Sequence, residues 1–175
     1  MPFGDGVPAC WPATSRSRPS ALRDAPQNIR VAFLSMNSMS NQDCLFCKII
    51  RKEIPGRIIY EDDHALAFLD IMPSAMGHTM VIPKSHTPNI LELPHEEVIP
   101  LFAAVKHVDG MIVKSLEPDG ITIGINQGQA SGQEIDHLHV HLIPRWHNDG
   151  GHAVQSVVHS ARKEDLDAVA AKIRG

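Results

Sequence analysis

Three histidines alternate with apolar residues in the segment 137–143, whose sequence is HLHVHLI. Side chains on a β-strand point alternately to its two faces, so His137, His139 and His141 are expected to share one face. The apolar residues between them would bury the other face and hold the imidazoles in a fixed row. Because imidazole titrates near neutral pH, binds metals and can attack phosphorus, the row predicts proton transfer, metal binding or nucleophilic catalysis.

A second group of reactive side chains is formed by two cysteines. Cys44 and Cys47 have C-x-x-C spacing at the start of a predicted helix. This spacing can bring two thiolates to one metal ion. A redox pair or two cysteines on a helix surface would show the same spacing, although no thioredoxin-like context surrounds them. The spacing alone does not choose among these interpretations.

Short strands and helices are predicted to position these side chains. Apolar spacing and candidate caps predict helices at residues 44–52, 95–116 and 163–174. Strands are predicted at residues 57–61, 65–70, 78–83, 121–126 and 136–145. Since this order has no βαβ rhythm, we expect an α+β fold with an antiparallel sheet of about five strands, one long helix and two short helices. Pro100 falls early in the long helix, where it would mark the start or a kink.

The composition is that of an ordinary globular protein. The 175 residues carry a formal net charge of −4, and 43% of them are hydrophobic. No apolar run approaches the roughly 20 residues that cross a bilayer, so no membrane partner is expected. The negative net charge gives no electrostatic case for binding nucleic acid. Three cysteines do not form a disulfide framework, which favours a cytoplasmic location.

The first forty residues differ from the rest of the chain. Residues 1–40 are rich in proline, serine, arginine and alanine and show no helical or strand periodicity. They are predicted to be a disordered or non-native N-terminal extension, for which Met36 and Met39 are alternative starts. A transit peptide is the other interpretation. Residues 41–175 are predicted to form the folded domain.

The segment 137–143 matches the His-φ-His-φ-His-φ-φ signature, and the chain resembles the histidine-triad (HIT) family. The likeness extends over residues 43–145 and includes KIIRKEIP at 48–55, AFLDI at 67–71 and VIPK at 81–84. These motifs resemble the bacterial and Hint-like nucleoside phosphoramidase branch. The resemblance implies a HIT-like fold. It also implies an enzyme that hydrolyses purine nucleoside phosphoramidates, or related nucleotidyl derivatives, through a covalent nucleotidyl-histidine.

The resemblance assigns catalytic roles to individual residues. His139 would attack the α-phosphorus, and His141 would donate a hydrogen bond to a phosphate oxygen. Asn126 would lie near the same phosphate, and His78 would support the triad from the neighbouring strand. Glu134 would contact or protonate the leaving group, unless it is an exposed loop carboxylate. The segment 145–160 departs from the Hint-like pattern and could also contact the leaving group.

The resemblance also assigns a nucleotide-binding surface. Asp70 would accept hydrogen bonds from the ribose hydroxyls, and Gly132 and Gln133 would lie beside the phosphate. Four apolar residues would hold the purine base, with core packing as the alternative for each: Phe46, Ile49, Phe68 and Ile71. The phosphate end of this surface would be completed by Asn126, His139 and His141.

Family members that keep the two cysteines use them to bind a metal. The resemblance therefore implies a structural zinc site formed by Cys44, Cys47, His86 and His137. It also implies a homodimer, in which an edge strand of the sheet is covered.

Three alternative functions fit the same residues. A dinucleoside polyphosphate hydrolase would differ only in its leaving group. A zinc hydrolase would use all three histidines as catalytic metal ligands, and a nucleotide-binding adaptor would bind without turnover. A nucleotidyltransferase branch has glutamine in place of the third histidine, and His141 argues against it.

Overall fold

In a computed structural model of the protein, residues 41–158 and 165–175 are described. The predicted N-terminal extension, residues 1–40, lies outside the described residues. The helices are α1 (Leu45–Ile50), α2 (His95–Leu116) and α3 (Leu166–Arg174). The strands are β1 (Ile58–Glu61), β2 (Ala65–Leu69), β3 (Thr79–Pro83), β4 (Gly120–Gly124) and β5 (Val140–Arg145). Short 3₁₀ turns cover Gln129–Ser131 and Val154–Ser156.

The strands form one antiparallel sheet in the order β1-β2-β3-β5-β4. The last strand along the chain therefore lies between β3 and β4. This arrangement confirms the predicted α+β class, with five strands, one long helix and two short helices. Within the described ranges, no helix is long and apolar enough to cross a membrane.

Within residues 41–158, α2 packs on one face of the sheet and α1 on the other. The apolar stripe of α2, which includes Leu101, Val108 and Ile112, packs on one face. On the other face α1 packs through Phe46, Cys47 and Ile49 against side chains that include Phe68, Met80 and Ile82. Directly paired residues of an antiparallel sheet share a face, and Met80 is paired with His141. The histidines are therefore on the α1 side.

The long helix includes Pro100 and is not started by it. It begins at His95 and has Glu96 and Glu97 in its first turn, where carboxylates interact favourably with the helix dipole. Pro100 is the sixth residue of the helix, just beyond the four N–H groups that have no intrahelical acceptor, so it removes the single bond that its nitrogen would make to the carbonyl of Glu96. The helix ends before Glu117, which has a left-handed φ of 48°.

Strand β5 begins four residues later than predicted, at Val140 instead of residue 136. The backbone N–H groups just before it bond outside the sheet: His137 N donates to Ile135 O at 2.8 Å, and Leu138 N donates to Thr87 O at 2.6 Å. His137 and His139 thus belong to the approach to the strand, whereas His141 lies within it. Inside β5 the predicted alternation holds, with every second residue buried from Val140 onward.

Gly77, in the turn before β3, is a position where the fold requires glycine. Its φ is +78°, and a Cβ there would collide with Leu116 Cδ1. We expect Gly77→Ala to lower the free energy of unfolding by about 1–3 kcal/mol in urea titrations. Gly110→Ala is the matched control, because Gly110 lies in α2 and a Cβ added there would meet nothing within 4 Å. That change should raise stability by about 0.5–1 kcal/mol, and equal stabilities would contradict this account.

Candidate active site and metal centre

The three histidines of the row have different surroundings. His137 is 0% exposed and His139 is 5% exposed, whereas His141 is half-buried. The rings of His139 and His141 are neighbours, with centroids 4.9 Å apart. The ring of His137 instead faces Cys44, Cys47 and His86. The row is therefore divided between two sites.

The hydrogen bonding of His139 determines its tautomer. Its Nδ1 lies 2.7 Å from the backbone oxygen of His137. A carbonyl oxygen can only accept, so Nδ1 carries a proton, and Nε2 is the nitrogen that has the lone pair when the ring is neutral. The Phe46 ring packs edge-on against His139 at a centroid distance of 5.4 Å and against His137 at 5.8 Å. The hydrogen bond and the aromatic contacts hold the ring in one orientation, as a nucleophile requires.

His141 is the end of a chain of polar side chains that crosses from β5 to β3. Its Nδ1 lies 3.0 Å from Nε2 of His78, and Nδ1 of His78 lies 3.4 Å from a carboxylate oxygen of Asp70. Burial, with smaller effects of His139 and His78, lowers the pKa of His141 to about 4. Burial also lowers the pKa of His78, although Asp70 opposes this. Both rings are therefore neutral near pH 7.

One nitrogen of His141 has an unusual environment. Its Nε2 atom is buried and has no hydrogen-bond partner among the described residues. A buried polar atom without a partner is costly unless a ligand, ion or water satisfies it. Asp70, His78 and His141 could also be regarded as a metal cluster. Because the two rings are already hydrogen-bonded to each other, we interpret them as a hydrogen-bond chain.

The loop between β4 and β5 carries the remaining predicted catalytic residues. Asn126 Nδ2 is 3.8 Å from the position of a Cβ at Gly132, whose φ of +91° favours glycine. Gln133 accepts from Gly128 N at 2.7 Å and donates to Pro88 O at 2.6 Å, so its side chain braces the loop. Glu134 is exposed. Contacts of these residues with a nucleotide remain predictions.

The residues predicted to hold the nucleotide differ in their exposure to solvent. Asp70 is half-buried beside His78, and Ile71 is 86% exposed. Phe46, Ile49 and Phe68 are buried in the cluster under α1. Core packing, the alternative considered from the sequence, therefore describes these three side chains, and contact of any of them with a base remains a prediction.

The two cysteines and two histidines predicted to bind metal lie together. Their candidate ligand atoms are all within 4.8 Å of one another. His137 Nδ1 lies 3.6 Å from each sulfur, and Cys47 Sγ lies 3.3 Å from His86 Nδ1. Ligands about 2.0–2.3 Å from a tetrahedral zinc would be roughly 3.3–3.8 Å apart. The spacing therefore fits a Cys₂His₂ zinc site.

The protonation chemistry of these four residues also fits a cation. His137 Nε2 donates to Pro83 O at 2.9 Å, which leaves the lone pair of Nδ1 facing the sulfurs. Burial, followed by the neighbouring Cys44, raises the pKa of Cys47 to about 11. Burial lowers the pKa of His137 to about 4. A bound cation would favour the thiolates and the neutral imidazole, so the residues fit the metal.

The segment after β5 folds into a compact loop. Arg145 makes two hydrogen bonds to Asp149, at 2.6 and 2.8 Å, and also donates to Thr122 Oγ1 and His152 O. The ion pair holds the pKa of Asp149 well below its usual range. A Cβ at Gly151 would collide with the guanidinium. Within the described residues this arginine therefore braces the loop, and contact with a leaving group remains a prediction.

Sequence comparison places the chain in a known class. A family model described as the HIT domain matches residues 51–148. The chain belongs to the HIT family, which comprises nucleotide hydrolases and nucleotide-binding proteins. The recognition made from the histidine row and its flanking motifs is confirmed.

Individual relatives define the similarity further. The chain is 39% identical to the adenylylsulfatase HINT3 of Arabidopsis thaliana, covering 75% of this chain and 67% of the relative. It is 38% identical to the adenosine 5'-monophosphoramidase HNT1 of Saccharomyces cerevisiae, over 58% of this chain and 62% of the relative. The crystal structure of a HIT family member from Bacillus subtilis matches with a TM-score of 0.68 and 39% identity, covering 75% of this chain and 95% of that chain.

Proposed function

We propose that the protein hydrolyses purine nucleoside phosphoramidates and related nucleotidyl derivatives, with His139 as the nucleophile. The observation that supports this most directly is the 2.7 Å hydrogen bond between His139 Nδ1 and the carbonyl of His137. In the neutral ring this bond assigns the proton to Nδ1 and the lone pair to Nε2, and His139 is almost completely buried. The neighbouring His141 supplies a donor for the charge that develops on phosphate.

The reaction follows in two steps. The lone pair of His139 Nε2 forms a bond to the α-phosphorus, while the bond from phosphorus to the leaving group breaks. An amine leaving group takes up a proton as it departs, for which Glu134 is the candidate donor. Water then attacks phosphorus and gives a proton to the Glu134 carboxylate, while the bond from phosphorus to His139 Nε2 breaks and releases the nucleoside monophosphate and the free ring. In both steps His141 donates from Nε2 to a non-bridging oxygen.

The names of two relatives support this range of substrates. HNT1 is an adenosine 5'-monophosphoramidase and HINT3 an adenylylsulfatase, so each acts on an adenosine derivative. For this chain we propose that Asp70 binds the ribose and that exposed Ile71 contacts the base. The loop residues Asn126, Gly132 and Gln133 would then lie beside the phosphate.

The test is to trap the intermediate. The protein is mixed with a fluorogenic adenosine phosphoramidate, and the reaction is stopped with a denaturant that contains no acid. The intact mass of the protein is then measured and should be greater by one adenylyl group. Fluorescence measured in parallel should show turnover. A diadenosine polyphosphate tests the alternative leaving group, and AMP binding with neither adduct nor turnover would establish the adaptor alternative. Immediate loss of turnover on chelation would indicate the catalytic zinc alternative.

We propose that Cys44, Cys47, His86 and His137 bind a structural zinc ion. The ligand spacing and the buried thiols support this. The ion would link α1 to the segment before β5. With four protein ligands, it would have no open coordination position for a substrate. The free thiols of the described cysteines also agree with the proposed cytoplasmic location.

We also propose that the protein is a homodimer formed through α2 and the edge strand β4. Ile99, Phe102 and Val113 of α2 and Ile123 of β4 are 79%, 40%, 48% and 46% exposed. Exposed apolar side chains on a helix and an unpaired strand edge each favour association with a second copy. Light scattering should give twice the 19.2 kDa chain mass. A monomer mass at micromolar concentration would contradict the proposal.

A further inference from the structure

The direction of the hydrogen-bond chain that ends at His141 can be derived from its first member. The backbone N–H of Ser74 donates to Nδ1 of His78 at 3.2 Å. A ring nitrogen that accepts carries no proton, so neutral His78 is protonated at Nε2. The Nε2–H group of His78 then donates a hydrogen bond to Nδ1 of His141, at 3.0 Å. His141 must therefore carry its own proton on Nε2, the buried atom without a partner among the described residues.

The direction of these hydrogen bonds depends on Ser74, because a second group, the Asp70 carboxylate, also faces His78 Nδ1. A carboxylate oxygen of Asp70 lies 3.4 Å from the same His78 Nδ1 and can only accept. Without the Ser74 N–H, a proton on Nδ1 would face Asp70, and Nε2 of His78 would become an acceptor. His141 would then be protonated at Nδ1 and would present a lone pair at Nε2. Burial keeps the pKa of His78 low, which disfavours the doubly protonated ring.

The turn between β2 and β3 holds this backbone donor in place. Asp70 N donates to His78 O at 2.9 Å, and His78 N donates to Ala75 O at 3.0 Å. The other carboxylate oxygen of Asp70 accepts from Met72 N at 2.9 Å. The Ser74 side chain is exposed, and its hydroxyl makes no hydrogen bond within the part of the chain that the structure describes. Ser74 therefore takes part in the hydrogen-bond chain only through its backbone N–H.

We propose that the main-chain N–H of Ser74, acting through His78, fixes the proton of His141 on Nε2 and so makes His141 a hydrogen-bond donor to the substrate phosphate. Ser74 and His78 are then positioning residues, and no proton is transferred along the chain during the reaction. The consequence for turnover rests on the proposed function. The tautomer itself does not, and it can be measured without substrate.

The test compares two substitutions at the same position. Ser74→Pro removes the N–H, whereas Ser74→Ala keeps it and removes only the unused hydroxyl. We expect Ser74→Ala to retain native kcat and KM. Ser74→Pro should lower kcat on the order of 10²-fold, as for the loss of one transition-state donor, with a much smaller change in KM. In ¹⁵N spectra of histidine-labelled protein, the His141 proton should move from Nε2 to Nδ1 in Ser74→Pro alone.

A second substitution distinguishes a reversed direction of the hydrogen bonds from a distorted turn. In the Ser74→Pro background, Asp70→Asn replaces the competing acceptor with a carboxamide, whose N–H can donate to His78 Nδ1. The double variant should regain about tenfold in kcat and return the His141 proton to Nε2, although KM should rise if Asp70 binds ribose. No structural defect at the turn would be corrected in this way.

Several outcomes would overturn the proposal. It fails if Ser74→Pro has native kcat, or if kcat falls while the His141 proton stays on Nε2. If Ser74→Pro does not fold, an amide-to-ester replacement at residue 74 removes the same N–H without the proline ring and must meet the same expectations. If native protein forms no nucleotidyl adduct, the proposed function fails, and the ¹⁵N measurement still decides the tautomer of His141.

Discussion

Replacing His139 by alanine is expected to lower kcat by about 10⁴-fold or more and to abolish the nucleotidyl adduct in intact mass spectra. The lone pair at Nε2 is the atom that we propose bonds to phosphorus, and alanine offers no replacement. AMP should still bind, because the proposed ribose and base contacts are made by other residues. Loss of turnover with retained AMP binding would separate a chemical role of His139 from a role in folding.

Matched variants make this result interpretable. His95→Ala removes an exposed histidine at the start of α2 and should leave the adduct and kcat unchanged. His139→Asn keeps a polar side chain in the buried position and should also lack the adduct. An adduct of native mass in either His139 variant would show that another residue is the nucleophile. Peptide mapping would then identify it.

Removal of the metal is expected to have the largest effect on stability. Cys47→Ser, or chelation of the native protein, should lower the thermal midpoint by about 10 °C or more, because a structural zinc contributes several kcal/mol to folding. Elemental analysis should find one zinc per native chain and none in the variant. Scanning calorimetry with and without chelator measures the shift.

The double variant Cys44→Ser/Cys47→Ser is the control for the chelator. Its thermal midpoint should be low already and should not change when chelator is added. After chelator is added to native protein, turnover should decline slowly, in parallel with the loss of folded protein. It should not stop at the moment of mixing. A native midpoint insensitive to chelator, or native protein that contains no zinc, would refute the metal site.

The sequence predicted those features that depend on short-range periodicity. The apolar spacing of residues 95–116 predicted α2 with the observed bounds, since its buried stripe faces the sheet. The alternation around His141 predicted which residues of β5 are buried. Hydrophobic periodicity records burial directly, so helices and strands with one buried face can be recovered from it.

Other features depend on contacts that periodicity does not record. The start of β5 was predicted too early, because Leu138 N bonds to Thr87 O, a residue distant along the chain. The bracing role of the Gln133 side chain depends on the position of Pro88. The backbone N–H of Ser74 leaves no signal at all in residue types, since every residue except proline has one. Such roles emerge only when the turn is folded.

The position of β5 in the sheet has a consequence for how the molecule folds. β5 follows all other strands in the chain but pairs with both β3 and β4. Until it joins them, β3 and β4 each present an unpaired edge, which favours aggregation. Cys44 and His137 are also 93 positions apart, so their contact forms only with most of the domain already synthesised. Completion of the sheet and assembly of the histidine site therefore both require β5 and the residues just before it.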